Sequence, residues 1–344
     1  VKALEKLGNI LSSIGENRSW EGFDLGITEN EYNALEELTR SVRIFNGWFT
    51  EKEVKNSFKA WGNQLSLENL EKWVKNYTLD DNECNKEVGI IMAGNIPLVG
   101  FHDYVCCYVA GYKSKIKLSS DDNKLFPAIL DVLNHFDNTV KERTEIVIAQ
   151  LKDIDGIIAT GSNNTSRYFE QYFGKYPNII RRSRTSVAVI TGTESEEDLQ
   201  GLATDVFAFY GLGCRNVTKV FLPKGYDLDN LFKAFFPFQY VSENNKYANN
   251  YDYHKAVFMM EQYDLLENGF LIMKEDQSLH SPIGTLYYEY YNDANSIQEH
   301  LKQLDENIQC VVSKKDIPFG KAQNPELWDY ADNVDTIEFL LGLK

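Results

Sequence analysis

The sequence contains few of the residues that build disulfide frameworks and metal sites. Its 344 residues include five cysteines, an odd number with no CxxC spacing, and five histidines with no HxxxH or HxH pairing. We therefore expect reduced thiols, a cytoplasmic protein and no bound metal. No apolar run approaches the roughly 18 residues of a membrane span. The first residues, VKALEKLGNILSSIG, predict an amphipathic helix and not a signal peptide.

Basic residues are in the minority. The chain has 35 lysines and arginines against 51 aspartates and glutamates, a formal net charge of -16. A surface of that sign repels phosphate backbones, so we expect no nucleic acid partner. The hydrophobic content of 43% and the charged content of 25% are typical of a soluble globular protein. The length indicates two domains.

The order of the predicted elements indicates two α/β domains that meet near residues 180 to 186. The chain as far as the acidic stretch at residues 80–82 has helical periodicity, and after it short buried strands alternate with helices, which is typical of parallel βαβ units. The predicted strands are 88–92, 115–120, 154–161, 186–190, the segment after residue 214, 284–291 and IQCVVS. The predicted helices of this part include 100–110, 124–136, 229–235 and 296–304.

Polar side chains follow three of the predicted strands. In ATGSNNTS (159–166), hydroxyl and amide groups at a helix start favour an anion, although a well-capped helix is the simpler interpretation. Lys117, with Ser119 and Ser120, ends a strand where ligands bind in open α/β sheets; the alternative is an edge strand protected by lysines. Asn95, in AGNIP, either shapes a turn or aims an amide into a cleft, as an oxyanion hole requires.

The segment RRSRTS (181–186) is the strongly basic cluster of an acidic chain. Arginines bind phosphates and carboxylates in bidentate fashion, so Arg181, Arg182 and Arg184 could form a docking patch for a polyanionic substrate or cofactor. A solvated loop is the alternative.

Cys214 lies in FYGLGCRNVTKVFLPKGYD, between a glycine-bearing turn and an apolar strand. Free cysteine is among the most buried residue types, which favours a packing role. A nucleophile needs a stabilised thiolate and exposure in a cleft. Gly213 before it and Arg215 after it permit both interpretations.

The order of these motifs is more specific than any one of them. AGNIPLVGFHDY, IKLSSDD, ATGSNNTSRYF and GLGCRNVTKVFLPKGYD, within Val88–Ser313, together resemble the long-chain acyl-CoA (fatty acyl) reductases of the aldehyde dehydrogenase superfamily. The resemblance implies an α/β fold with a Rossmann-type cofactor domain, a second α/β catalytic domain and a helical N-terminus. It implies N-terminal helices and an NAD(P)-binding domain over 1–182, the catalytic cysteine domain over 183–320, and a tail over 321–344 that packs on the cofactor domain or on a partner subunit.

The resemblance also implies roles for individual residues. Cys214 would be the acyl-accepting nucleophile, and Asn95 would form the oxyanion hole with the Cys214 backbone N–H. The remaining implied contacts are Lys117 with the adenosine ribose of the cofactor, and Gly161 and Ser162 with its pyrophosphate. We include Ser119 and Ser120 among the predicted cofactor residues. The basic cluster Arg181, Arg182 and Arg184 is the predicted patch for CoA or phosphate.

Three departures from the superfamily pattern refine the activity. No acid stands between Pro177 and Ser186, where aldehyde dehydrogenases carry the glutamate that activates water. An acyl group on Cys214 would therefore be hydrolysed poorly, which favours a CoA-linked reductase. Ser120 replaces the acid of NAD-specific members, which favours NADPH over NADH. His280, with Ser281 and Pro282, replaces the stretch that holds the nicotinamide ribose.

The sequence thus predicts an acyl-CoA reductase that uses NADPH to convert a fatty acyl-CoA thioester to the aldehyde through an S-acyl-cysteine. The expected partners are acyl-CoA or another acyl thioester, an acyl-transfer protein and further copies of the chain. The aromatic segment 232–241 either lines an acyl tunnel or belongs to the core. Two alternatives stay open: an NAD(P)-dependent aldehyde oxidoreductase with a non-CoA substrate, and a non-catalytic acyl- or nucleotide-binding protein.

Overall fold

The computed structural model describes residues 1–79 and 84–343, which form two compact units. The first unit comprises Val1–Arg182 together with Glu326–Lys344, and the second comprises Ser183–Pro325. In the described part of the chain, no helix is both long enough and apolar enough to cross a membrane.

Four helices open the first unit, as the sequence predicts. They are α1 (Lys2–Gly15), α2 (Glu29–Ser41), α3 (Glu51–Gln64) and α4 (Leu67–Val74). Helices α1 and α3 pack with their backbones close together, because a Cβ atom added at Gly62 would lie 2.6 Å from Ser12 Cβ. The apolar face of α1, with Leu4, Leu7 and Leu11, is buried in the core of this unit.

A five-stranded parallel sheet follows, with the strand order β3-β2-β1-β4-β5. Its strands are β1 (Glu87–Ile91), β2 (Lys113–Lys117), β3 (Thr144–Ile146), β4 (Gly156–Thr160) and β5 (Asn178–Arg181). The connecting helices are α5 (Phe101–Val109), α6 (Leu125–Phe136) and α7 (Asn163–Phe173). The chain enters at the central β1, runs to one edge and returns to build the other, so the connections change direction between β1 and β4. Ligands bind at such a switch point in open α/β sheets.

The structure corrects two interpretations of the basic segments. Strand β2 is paired on both sides, so its alternating lysines do not protect a sheet edge. The segment RRSRTS is not one solvated loop, because Arg181 ends β5 and Thr185 begins the first strand of the second unit.

The second unit holds a six-stranded sheet in the order β11-β6-β7-β10-β9-β8, parallel except for the β8–β9 pair. Its strands are β6 (Thr185–Val189), β7 (Val217–Pro223), β8 (Leu266–Glu267), β9 (Ile272–Glu275), β10 (Thr285–Tyr291) and β11 (Ile308–Val312). Its helices are α8 (Glu196–Phe207), α9 (Asp229–Phe235), α10 (Asn245–Met260) and α11 (Ala294–Gln303). The ring of Phe235 is fully buried and packs edge-on against Phe207 at 5.6 Å, so it belongs to the core.

The last residues return to the first unit, where α12 (Thr336–Leu341) lies. Trp73 Nε1 donates a hydrogen bond of 2.8 Å to the hydroxyl of Tyr330. The hydroxyl of Tyr112 donates to the carbonyl oxygen of Leu340 at 2.5 Å. These buried contacts join the C-terminal segment to the helices and the sheet of the first unit.

Candidate active site

The carboxyl edge of the first sheet gathers three of the predicted site segments. Ile91, at the end of β1, lies in register with Lys117 of β2 and with Ala159 of β4. Asn95, Ser119 and Gly161 follow these three neighbouring strands, so their loops lie along the same edge of one sheet.

The loop that carries Asn95 packs directly on the turn after β2. A Cβ atom at Gly94 would lie 2.7 Å from Ser119 Cβ and 3.0 Å from the backbone nitrogen of Asp122, so only glycine fits. Leu98, at the far end of this loop, has a φ of 59°, which is strained for a leucine. The Asn95 side chain itself is exposed.

Asp122 holds this loop in place, and the sequence did not single it out. Its Oδ2 accepts the N–H of Leu98 at 2.9 Å, while its Oδ1 is buried and has no hydrogen-bond partner in the part of the chain that the structure describes. Burial raises the pKa of Asp122 to about 6, although hydrogen bonds from the backbone of Leu98 and Leu125 oppose the shift. A carboxyl group 6% exposed in SSDD would not be expected from the sequence, where a run of acids indicates a solvated surface.

The predicted cofactor residues occupy the turns along the same edge. Lys117 and Ser119 are half-buried and Ser120 is exposed. Ser162 Oγ accepts the backbone N–H of Thr165 at 3.2 Å and so caps the first turn of α7. A Cβ atom at Gly161 would lie 2.9 Å from the Phe169 ring, which keeps the turn between β4 and α7 tight.

The three predicted arginines have separate environments. Arg181 is 5% exposed, forms an ion pair with Asp103 and donates to Thr336 Oγ1 at 3.1 Å. Its guanidinium therefore stabilises the first unit internally, and we leave it out of the proposed ligand patch. Arg182 is exposed and pairs with Glu170 at 2.6 Å.

Arg184 lies in the second unit. Its Nη1 donates to the carbonyl oxygens of Asp305 and Ile308, each at 3.3 Å. These bonds tie the start of β6 to the start of β11. Arg182 and Arg184 stay predicted ligands of CoA or phosphate.

Cys214 is exposed, unlike Cys106 and Cys107, which are fully buried in α5 as the sequence predicts. It stands three residues before β7, at the amino edge of the second sheet. The turn that leads to it contains three consecutive left-handed residues, Phe209, Tyr210 and Gly211, with φ values of 50°, 58° and 79°. Two of the three are aromatic, so the conformation carries strain that the surroundings must hold.

Hydrogen bonds fix the backbone on both sides of this thiol. Ser186 Oγ, on β6, donates to the carbonyl oxygen of Cys214 at 3.0 Å. Ser186 Oγ also lies 3.1 Å from Cys310 Sγ. A hydroxyl has one proton, so when Ser186 donates to Cys214 the thiol of Cys310 is the donor to Ser186. On the other side, Oδ1 of the fully buried Asn216 accepts the N–H of Gly213 at 2.8 Å.

A second buried carboxylate lies behind the Cys214 turn. Asp205, near the end of α8, is fully buried and accepts the N–H groups of Gly320 at 2.6 Å and Ala322 at 3.0 Å. Arg215 Nη1 donates to the carbonyl oxygen of Ala322 at 3.4 Å. Burial raises the pKa of Asp205 to about 7, opposed by these N–H bonds and by the charge of Lys321.

No protein-family model and no curated protein matches the sequence. Solved structures do. Aldehyde dehydrogenase 21 from Physcomitrella patens, in complex with the reaction product succinate, matches with a TM-score of 0.62 at 13% identity, over 90% of this chain and 73% of that chain. The chain has the aldehyde dehydrogenase fold. An NADP dependent enzyme from E. coli matches with a TM-score of 0.60 at 10% identity, over 90% and 73% of the two chains.

A third structure, an NAD+ complex of an aldehyde dehydrogenase from Bacillus cereus, matches with a TM-score of 0.56 at 11% identity, over 90% of this chain and 71% of that chain. The predicted fold class is therefore confirmed: α/β units with the aldehyde dehydrogenase fold, a Rossmann-type parallel sheet and a helical N-terminus. At these identities the likeness establishes the fold, whereas substrate and activity are argued from the residues.

Proposed function

We propose that the protein reduces acyl thioesters to aldehydes, with Cys214 as the acyl-accepting nucleophile and NADPH as the reductant. The observation that carries this proposal is the exposed thiol of Cys214 on a strained and hydrogen-bonded turn, in a fold where free cysteines elsewhere are buried or half-buried. A nucleophile needs access and a fixed position, whereas a packing cysteine needs neither.

The first unit supplies residues that fit a dinucleotide. The strand order places the turns after β1, β2 and β4 at one sheet edge, and the turn at Gly161 is as tight as the packing of a helix on a nucleotide-binding strand requires. Lys117, Ser119 and Ser120 would hold the adenosine end, and Gly161 and Ser162 the pyrophosphate at the start of α7. When bound, the cofactor supplies hydride. Ser120 carries no charge that would repel a 2′-phosphate, which supports NADPH.

The second unit supplies the covalent chemistry. The Cys214 thiolate attacks the carbonyl carbon of the thioester, a new C–S bond forms, and the substrate's own C–S bond breaks as its thiolate leaves. The Cys214 N–H and the Asn95 amide are the predicted donors to the oxyanion of the tetrahedral intermediate. Reduction of the S-acyl group gives a thiohemiacetal, whose collapse returns the aldehyde and the Cys214 thiolate.

The surroundings of Cys214 disfavour hydrolysis of the acyl group. The backbone carbonyl oxygen of Cys214 accepts a hydrogen bond from the neutral hydroxyl of Ser186, which also contacts the thiol of Cys310. The strands β5 and β6 contribute no carboxylate between Asn178 and Val189. Without a general base from these two strands, water is a poor acyl acceptor, which supports reduction of the acyl group or its transfer to a thiol.

The decisive experiment follows NADPH oxidation with acyl-CoAs of graded chain length. We expect reduction by the wild type, loss of reduction in Cys214→Ala, and wild-type activity in the control Cys84→Ala, whose half-buried thiol lies in the first unit. Absence of activity with every thioester, or activity in Cys214→Ala equal to that of the wild type, would contradict the proposal. We also propose that acyl-CoA or another acyl thioester is the acyl donor, and that an acyl-transfer protein is a partner. The proposal includes a homo-oligomer and a cytoplasmic location.

A second candidate is an NAD(P)-dependent aldehyde oxidoreductase without a thioester substrate. It is favoured by the fold shared with the Bacillus cereus aldehyde dehydrogenase, whose structure contains NAD+. The same assay separates the two, because this candidate would oxidise aldehydes in the absence of CoA and would not oxidise NADPH on addition of an acyl-CoA.

A further inference from the structure

We propose that Asn216 is the positioning residue of the Cys214 thiolate: its amide closes the turn that carries the thiol and covers the carbonyl end of α8 beside it. The inference rests on the proposed function only in taking Cys214 as the nucleophile. Asn216 does not touch the substrate in this proposal, and it acts through the turn.

Two hydrogen bonds of Asn216 close the turn that carries Cys214. Asn216 Oδ1 accepts the N–H of Gly213 at 2.8 Å, and the Asn216 N–H donates to the carbonyl oxygen of Gly213 at 3.1 Å. Two hydrogen bonds between the same two residues close a loop with Cys214 and Arg215 at its tip. The two bonds hold the ends of this four-residue turn together and so limit the positions that the tip can take.

Asn216 also forms hydrogen bonds at the C-terminal end of α8. The last carbonyl groups of a helix have no partner within the helix and carry the negative end of its dipole. Asn216 Nδ2 shares its two hydrogens among three carbonyl oxygens, those of Asp205 at 3.0 Å and Val206 at 3.2 Å in the last turn of α8 and that of Ala208, the residue after it, at 2.9 Å. The side-chain amide of Asn216, two residues after Cys214, thus caps the C-terminal end of α8, the helix that precedes Cys214.

This placement matters for a thiolate. Parallel α/β units direct the carbonyl ends of their helices toward the amino edge of the sheet, and Cys214 lies at that edge. Partial negative charge there disfavours an anion. The amide hydrogens of Asn216 lie between those carbonyl oxygens and the turn, so they reduce the repulsion that a thiolate on Cys214 would meet.

The backbone of the turn before Cys214 is strained. Phe209 and Tyr210 have φ values of 50° and 58°, which cost energy for residues other than glycine. The bonds of Asn216 to Ala208 and to Gly213 bracket these residues on both sides. Both ends of one amide are used, so neither a carboxylate, which cannot donate, nor an alkyl group can replace it.

The test measures alkylation of Cys214 by iodoacetamide from pH 6 to pH 10, in the full-length protein, with the modified site identified by peptide mass spectrometry. The variants are Asn216→Asp, Asn216→Ala and the milder Asn216→Ser. The matched control is Asn244→Ala. Asn244 is also a buried capping asparagine of the second unit, since it accepts the N–H of Lys246 at 2.9 Å and caps α10.

We expect the pH midpoint of alkylation to rise and the rate at pH 7 to fall, by about tenfold for each pH unit by which the midpoint rises. The effect should be largest for Asn216→Asp, which adds charge, smaller for Asn216→Ala, which removes the donor, and smallest for Asn216→Ser, which keeps one donor. Asn244→Ala should alkylate like the wild type. Equal midpoints in the wild type, Asn216→Asp and Asn216→Ser would overturn the proposal.

The same variants separate this proposal from the proposed function. If Cys214 reacts as expected but no thioester is reduced, the positioning stands and the activity is wrong. If reduction depends on Cys214 but alkylation does not depend on Asn216, the activity stands and the positioning is wrong. Asn216→Ser keeps the test valid if Asn216→Ala does not fold, because it retains a donor and an acceptor at the buried position.

Discussion

The candidate site residues of the two units lie at opposite edges of their sheets. In the first, Lys117 ends a parallel strand, Asn95 and Gly161 follow two others, and all three lie at the carboxyl edge, where helices begin. In the second, Cys214 precedes β7 and lies at the amino edge, where helix α8 ends. The carboxyl edge offers N–H groups and a positive dipole end to any anion, so small residues suffice there. The amino edge offers carbonyl groups, and the Asn216 amide donates to those at the end of α8, which is the support that we propose for a thiolate on Cys214.

The units also share a device. Each buries one aspartate against backbone N–H groups of a loop near its candidate residues: Asp122 against Leu98, and Asp205 against Gly320 and Ala322. A carboxylate that accepts two N–H bonds fixes a loop firmly, and its burial makes that bond sensitive to pH. In both units such a loop is held by a carboxyl group whose pKa is raised by burial, to about 6 for Asp122 and to about 7 for Asp205.

The largest expected effect is on the amino edge. Cys214→Ser should lower kcat/KM for acyl-CoA reduction about a thousandfold or more, because an alcohol is a far weaker nucleophile than a thiolate. Mass spectrometry of the wild type incubated with acyl-CoA without NADPH should show one added acyl group. Acylation of the wild type on a peptide that does not contain Cys214 would assign the nucleophile to another residue.

The next effect is on the carboxyl edge. Asn95→Ala should lower kcat about a hundredfold, as loss of one oxyanion donor does. The melting temperature should stay the same, because the Asn95 side chain is exposed. The exposed Asn123→Ala is the control, and steady-state kinetics with calorimetry give both values. A rise in KM alone would give Asn95 a role in substrate binding.

The buried aspartates can be compared through pH. A carboxyl group with a raised pKa stabilises the fold most when protonated, so its contribution is complete below the unfolded pKa near 4 and is lost as the pH rises through the folded pKa. Relative to Asp205→Asn, the wild type should lose unfolding free energy steadily as the pH rises from about 4 to about 7. For Asp122→Asn the loss should end near pH 6.

Urea unfolding at pH 4, 5, 6, 7 and 8 measures these differences. The design removes the contribution of every other titrating group, because only the difference between wild type and variant is used. If the difference in unfolding free energy between the wild type and a variant does not change with pH, the aspartate concerned is ionised throughout. In that case the N–H bonds offset the effect of burial on its pKa.

The smallest effect concerns the choice of cofactor. Ser120→Glu should raise the KM for NADPH about tenfold, because a carboxylate would repel the 2′-phosphate, and should leave the KM for NADH nearly unchanged. Ser120→Ala is the matched control, since it removes the hydroxyl without adding charge. If Ser120→Glu uses NADPH as the wild type does, another residue sets the preference.

Much of the fold follows from the sequence. The alternation of short buried strands with helices identified the parallel units, because such strands read as continuous apolar runs. Helix α10 was not predicted, since NKYANNYDYHKAVFMM buries only Tyr247, Tyr251 and Phe258 and shows no clear apolar stripe. Strand β9 was not predicted either, because Lys274 interrupts its short apolar run, and the structure shows that this lysine is buried beside Asp276.

The site residues divide in the same way. Those whose roles depend on local geometry, Asn95, Gly161 and Cys214, stand at element ends that the sequence marks with glycine. Those whose roles depend on distant partners were missed or misread. Arg181 reads as surface charge, yet its partner Asp103 is 78 residues away. Asn216 reads as an ordinary turn residue, and nothing local shows that it caps a helix that ended nine residues earlier.

The first unit is discontinuous in sequence, and this has a consequence for the order in which the chain acquires structure. Trp73, Tyr112 and Arg181 find their partners in Tyr330, Leu340 and Thr336, which a ribosome makes after the whole of Ser183–Pro325. During synthesis every residue of the second unit is made before these C-terminal partners, so Trp73 and Tyr112 lack their partners until the last residues of the chain emerge. A chain truncated after Pro325 and released from the ribosome should therefore protect the Cys214 turn from protease while its N-terminal helices and first sheet stay sensitive.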